Sequence, residues 1–185
     1  MERCLNSVSD LVDEIVIVDT GSEDRTRDIA RAFTQKLYEL PWNDDFAAAR
    51  NASFEKAEME YCMWLDADDV IEPEDREKFL QLKSELDGTA DMVMLPYHTA
   101  FDAQGKAVFT YYRERLLRRE AGFRWQGAVH ECITPSGSVV YGEAAVSHHK
   151  GKKQESEDEI CGSTSGCRSA GKSWIRAADF IMRAN

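Results

Sequence analysis

Two groups of acids stand where a buried apolar run gives out. Ile15-Val-Ile-Val18 ends in Asp19, and Tyr61-Cys-Met-Trp-Leu65 ends in Asp66-Ala-Asp68-Asp69. Two carboxylates one residue apart at a strand end can point into one crevice and bind a hard divalent cation, with a diphosphate completing its shell. Acids of this kind also cap the helix that follows, so Asp-x-Asp alone decides little. Its place after a buried strand, with another acid at a neighbouring strand end, turns the reading of Asp66 and Asp68 toward a cation. Asp69 reads as a plain capping or first-turn residue. Asp19, with Gly21, Ser22 and Asp24 behind it, admits two readings. One is a turn and helix cap; the other puts the carboxylate on the base or ribose of a nucleotide, with Gly21 letting backbone approach the ligand. Arg50 is either a surface ion pair or a guanidinium whose planar fork meets phosphate oxygens. Arg113, Arg115, Arg118 and Arg119 divide in the same way between phosphate contacts and a solvated strand face.

The charge distribution suits such a site. Lys plus Arg number 23 against 34 Asp plus Glu in 185 residues, for a net charge of -11. A general nucleic-acid binder needs the opposite balance. Residues 1–91 hold 24 acids and 10 bases, whereas residues 92–150 hold 5 acids and 7 bases. An acidic half beside a mildly basic one matches carboxylates on a cation and arginines on anionic groups, or else a solvated acidic surface. The content of 43% hydrophobic and 31% charged residues is that of a folded domain. No apolar run approaches the roughly 20 residues of a membrane span, and no basic-then-apolar leader precedes Leu5. A cytoplasmic protein with no transmembrane segment and no nucleic-acid partner is expected. Cys4, Cys62, Cys132, Cys161 and Cys167 lack CxxC spacing and are expected to be free thiols.

The elements that must position these residues alternate. Residues 3–11 read as the end of a helix, 14–19 as a strand buried on both faces, 24–33 as a helix, and 36–40 as a short strand stopped by Pro41. A helix over 45–57, a strand over 61–65, a helix from Pro73 to about Leu86 and a strand over 91–95 follow. This rhythm predicts an α/β sheet with helices on both faces. After Pro96 it changes: residues 103–106 read as a hairpin turn between 97–101 and 108–117, and 122–134 and 138–149 as further strands or loops. The second half is expected to be β-rich and antiparallel.

Four segments in register resemble the family 2 glycosyltransferases. They are Ile15-Val-Ile-Val-Asp-Thr-Gly-Ser-Glu-Asp-Arg-Thr26, Asp45-Phe-Ala-Ala-Ala-Arg-Asn-Ala-Ser53, Trp64-Leu-Asp-Ala-Asp-Asp69 and Trp125-Gln-Gly-Ala-Val-His-Glu131. The resemblance is greatest to the bacterial branch linked to tetratricopeptide repeats, which includes peptide S-glycosyltransferases. It covers about residues 1–150, with 1–95 as the donor-nucleotide half and 96–150 as the acceptor half. It implies a GT-A fold, a Rossmann-like sheet, and inverting sugar transfer from a nucleotide-diphospho-sugar, a UDP-sugar first, to an unassigned acceptor. Carried over by motif, Asp19, Gly21 and Ser22 bind the donor nucleoside, and Arg50 lies near its base or phosphates. Asp66 is the donor-ribose or metal-side acid, Asp68 the principal ligand of Mn²⁺ or Mg²⁺, and His148 a further ligand. An inverting displacement also needs a group to take the acceptor's proton. Glu131 is the candidate, with His130 as its neighbour or substitute; the two equally read as a structural pair. Trp125 and Gly127 read as a sugar platform or, for the tryptophan, as core.

Two departures accompany the resemblance. The family opens with an apolar strand ahead of the helix that contains Arg3-Cys4-Leu5. Without that strand a sheet edge is exposed, and self-association through it is expected. Residues 151–185 lose the helical periodicity of the family. A shift of frame with plausible codons turns 159–165 into a string like NLRIYE, so this tail is expected to be out-of-frame translation. The alternative to an active transferase is a catalytically impaired fragment that still binds metal and nucleotide-sugar.

Overall fold

Strand residues alternate between the two faces of a sheet, and the strands built from the apolar runs feed two different cores. The computed structural model describes residues 1–149 and the backbone of residues 178–182. In chain order it contains α1 (Glu2–Val8), β1 (Glu14–Asp19), α2 (Thr26–Phe33), β2 (Leu37–Glu39), α3 (Phe46–Lys56), β3 (Tyr61–Leu65), β4 (Asp69–Val70) and α4 (Pro73–Glu85). Then follow β5 (Met92–Phe101), β6 (Ala107–Arg118), β7 (Val139–Tyr141), β8 (Val146–His148) and β9 (Ala178–Met182). From β1, Ile15 and Ile17 face one core while Val16 faces another. From β3, Tyr61, Met63 and Leu65 join the first core, whereas Cys62 and Trp64 point to the opposite side. Cys4, Leu5 and Val8 of α1, Ala30 of α2 and Phe79 of α4 fill the first side. Ala47 and Phe54 of α3 cover the second. The expected helices on both faces are therefore present.

The sheet runs β2-β1-β9-β3-β6-β5-β8-β4, with β7 also on β5. β1 and β2 pair in parallel, and β5 with β6 forms the long antiparallel hairpin. The expected open edge does not occur in the described residues: β9 lies between β1 and β3, antiparallel to both. The rest of the stretch assigned to out-of-frame translation lies outside the described residues, as do Cys161 and Cys167.

Pro96 does not end a strand, contrary to expectation. β5 continues through it to Phe101, with Pro96 opposite Tyr112. On the other side of β5, β7 pairs at residues 92–94 and β8 at 97–98. Pro96 falls in the gap between those two partners, where its missing N–H breaks no ladder. A second correction concerns Asp69. It caps no helix: the N-cap of α4 is Glu72, with Pro73 in the first turn, and Asp69 is a fully buried strand residue. Residues 122–134 form a loop closed by one bridge between Gln126 and Cys132. Cys4 and Cys132 are free thiols, as expected.

Candidate functional site

The chain leaves β3 at Leu65 and makes one turn before β4. Asp69 N–H donates to the Asp66 carbonyl at 2.9 Å, and the Asp66 N–H donates to Asp69 Oδ2 at 3.1 Å. From outside, the Cys4 thiol of α1 reaches the Asp66 carbonyl and the His149 N–H reaches that of Asp68. Because β4 and β8 pair with Asp69 opposite His148, the turn lies against the late histidine. Ligand atoms of Asp68, Asp69 and His148 all fall within 4.8 Å of one another. His148 Nδ1 is 3.1 Å from Asp69 Oδ1 and 3.5 Å from Asp68 Oδ1. The bond to Asp69 raises the His148 pKa above the ordinary imidazole value, against the effect of burial. Burial raises that of Asp68. For Asp69 burial acts upward as well, but Arg115 and the bond from His148 outweigh it and hold the carboxyl below its usual range. Two carboxylates and an imidazole make a donor set that Mn²⁺ accepts, since carboxylates suit hard cations and imidazole suits transition metals.

The other carboxylate of the turn points elsewhere. Asp66, expected beside Asp68 on a cation, accepts from Arg50 Nη2 at 2.7 Å. Arg50 Nε donates to Glu131 Oε1 at 2.9 Å. The Arg50 guanidinium is buried between two indoles, 4.5 Å from the Trp64 ring centroid and 4.9 Å from that of Trp125. A charge so enclosed needs carboxylate partners, and it finds them on two distant segments of the chain. Asn51 fastens the same loop: its amide donates to the Trp125 carbonyl at 3.0 Å and accepts from the Trp125 N–H at 2.9 Å. Trp125 is thus buried core, with its ring edge-on to Trp64. Arg50, Trp64, Asp66, Tyr97, His130 and Glu131 are among the residues that line an open cavity of about 410 Å³. His130 is exposed there with φ 60°, a left-handed conformation unusual for a residue with a side chain.

Asp19 stands apart from this assembly, with β9 between β1 and β3. Its buried Oδ1 accepts from the Gly21 N–H at 3.2 Å, the Ser22 N–H at 2.9 Å and the Ser22 hydroxyl at 2.7 Å, and Arg27 pairs with Oδ2. Gly21 has φ 113°, a conformation that glycine adopts freely. Burial acts to raise the Asp19 pKa, but the bonds from Ser22, Arg27 and Gly21 outweigh it and the value is lowered. A carboxyl depressed in the folded state adds stability above its unfolded value of about 3.9. That stability is lost as pH falls through the lower folded value. Thermal melting between about pH 6 and pH 2 is expected to show this loss in the wild type and a smaller one in Asp19→Asn.

Two partners of the site escaped sequence reasoning, Asp69 and Arg115. Arg115 is completely buried, with Nη1 3.1 Å from Asp69 Oδ2 and 3.0 Å from the Trp64 carbonyl. Its guanidinium lies 3.9 Å from the Trp64 ring centroid and 4.3 Å from that of Tyr97. The other hairpin arginines are engaged within the protein too: Arg113 on Glu114, Arg118 on Asp91, and Arg119 on the Met59 carbonyl. The available signal was the apolar context of the pair. Val70-Ile71 follows Asp69, and Leu116-Leu117 follows Arg115.

Among the described residues no helix is long and apolar enough to cross a membrane. The glycosyl transferase family 2 profile matches residues 1–138. A TPR repeat-containing protein of Synechococcus elongatus is 35% identical over 136 residues, covering 74% of this chain and 32% of the relative. The SPbeta prophage-derived glycosyltransferase SunS of Bacillus subtilis is 31% identical over 135 residues, covering 71% of this chain and 31% of the relative. The lipopolysaccharide core biosynthesis glycosyltransferase LpsC of Rhizobium meliloti is 28% identical over 146 residues, or 74% and 53%. The matched part spans about a third of the first two relatives and half of the third. With the motif segments, the cavity between them and these similarities together, the chain belongs to glycosyl transferase family 2, a family of sugar-transferring enzymes whose domain implies a GT-A fold.

Proposed function

We propose that this domain carries out metal-dependent, inverting transfer of a sugar from a nucleotide-diphospho-sugar, a UDP-sugar first, to an acceptor. The observation that carries the reading is the single turn 66–69. Its Asp68 belongs to the cluster with His148, and its Asp66 lines the cavity shared with Glu131. One turn thereby serves a cation on one side and a reacting sugar on the other.

Asp68 and His148 would hold Mn²⁺ or Mg²⁺. When bound, the cation offsets the negative charge that grows on the leaving diphosphate. Asp66 faces the donor from the cavity wall, and Arg50 keeps its carboxylate and that of Glu131 in fixed relation. The turn of Asp19, Gly21 and Ser22 supports the donor's nucleoside through its backbone, with the Asp19 carboxylate, taken up by Gly21, Ser22 and Arg27, holding that turn in shape. The acceptor hydroxyl or thiol attacks the anomeric carbon as the bond to the diphosphate oxygen breaks. Its proton passes to Glu131, whose Oε1 is held by Arg50, with His130 beside it at the cavity rim. A single displacement of this kind inverts the anomeric configuration.

The test is release of nucleoside diphosphate from a panel of UDP-, GDP- and TDP-sugars, with water as acceptor. Release is expected to stop on addition of EDTA and to resume with excess Mn²⁺. Metal-independent release would remove the cation from the reading. Nucleotide binding with no release from any donor would favour the impaired fragment instead.

A further inference from the structure

The cluster offers three candidate ligands, and they are not equivalent. Asp69 is fully buried, and both of its oxygens are engaged. Oδ2 accepts from the Asp66 N–H and from Arg115 Nη1, each at 3.1 Å. Oδ1 accepts from the Tyr97 hydroxyl at 2.8 Å and faces His148 Nδ1 at 3.1 Å. Four donors use the lone-pair capacity of a carboxylate. A cation on Asp69 would have to displace one of them and sit beside the Arg115 guanidinium, a like charge in a region of low dielectric. Arg115 does not move aside readily. Trp64 and Tyr97 lie against its guanidinium, and Nη1 also donates to the Trp64 carbonyl. By contrast the side chains of Asp68 and His148 retain 40% and 21% exposure, so a hydrated ion reaches both.

We infer that Asp69 is a positioning residue and not a ligand, and that it holds the His148 ring by Nδ1 so that Nε2 is the nitrogen offered to the cation. This rests on the cation reading proposed above. Nδ1 faces both carboxylates, and its hydrogen goes to the nearer, Asp69 Oδ1 at 3.1 Å against 3.5 Å for Asp68 Oδ1; this tautomer leaves Nε2 its lone pair for a metal. Asp69 therefore orients His148 from behind while contacting neither the ion nor the substrate.

The test is binding of Mn²⁺ alone, followed by calorimetry and by the EPR signal of the free ion. The wild type is expected to bind one Mn²⁺ with imidazole nitrogen coupling in pulsed EPR, a coupling absent from His148→Ala. Asp69→Asn is expected to weaken binding by about 10–100-fold, the usual effect of losing a group that orients a ligand. Combined with His148→Ala it should add little further loss, because its effect passes through the histidine. Where Asp69→Asn alone does not fold, Asp69→Asn with Arg115→Met removes both buried charges and serves the same comparison. Losses that multiply in the double variant would make Asp69 a ligand and overturn the inference. So would unchanged Mn²⁺ affinity in Asp69→Asn, or wild-type binding without nitrogen coupling. A wild type that binds no Mn²⁺ would overturn the cation reading itself, a result distinct from all of these.

Discussion

Glu131→Gln is expected to lower kcat for donor turnover by about 10²–10⁴-fold, the usual contribution of a positioned general base, with little change in KM for the nucleotide-sugar. The amide is nearly isosteric and its oxygen still accepts from Arg50 Nε, so the joint between the 122–134 loop and the turn after β3 stays closed. What the variant loses is the ability to take a proton. His130→Ala should cost less if histidine only neighbours the base. Arg50→Lys provides a complementary result, because a point charge cannot bridge Asp66 and Glu131 as the guanidinium fork does. It is expected to depress kcat through misplacement of Glu131. Near-wild-type turnover in Glu131→Gln, with loss in His130→Ala, would transfer the proton-accepting role to the histidine.

Strands that are apolar along their whole length announced themselves. β1 and β3 are short runs with both faces buried, and their ends in Asp19 and Asp66 are where the observed turns begin. The hairpin turn at 103–106 was equally plain from its Gln-Gly-Lys composition. The failures have local causes. Pro96 is tolerated inside β5 only because two separate strands share that edge, which no window of sequence reveals. The tail shows no periodicity that predicts β9, yet its backbone pairs with β1 and β3 on both sides. Asp69 carries the pattern of a helix start, an acid shortly before Pro-Glu-Asp, and its contacts with Tyr97, Arg115 and His148, 28 to 79 residues away, give it another role. For the same reason alternate arginines on β6 look solvated, although that strand lies in mid-sheet at Arg115. Candidate chemistry was legible as residue types at strand ends; which carboxylate meets which partner is a property of the assembled sheet.

Arg115→Met is expected to destabilise the domain by about 3–5 kcal/mol, the cost of breaking one side of a buried ion pair. The two side chains are fully enclosed, so the charge left on Asp69 cannot be taken up by water. Asp69 must then either gain a proton or keep a charge in the core, and both cost free energy. Against a typical domain stability of about 5–15 kcal/mol, the loss should be large in urea denaturation followed by tryptophan fluorescence. That probe is apt because the guanidinium lies against Trp64. Asp69→Asn should be destabilising too, since it strands Arg115. The decisive measurement is the double variant: with both charges gone, much of the loss is expected to return, as it does when a buried pair gives way to uncharged groups of similar volume. Recovery of that kind would show that the buried pair adds little net stability of its own. A double variant as unstable as the sum of the singles would instead make the Arg115–Asp69 contact incidental to packing around Trp64 and Tyr97.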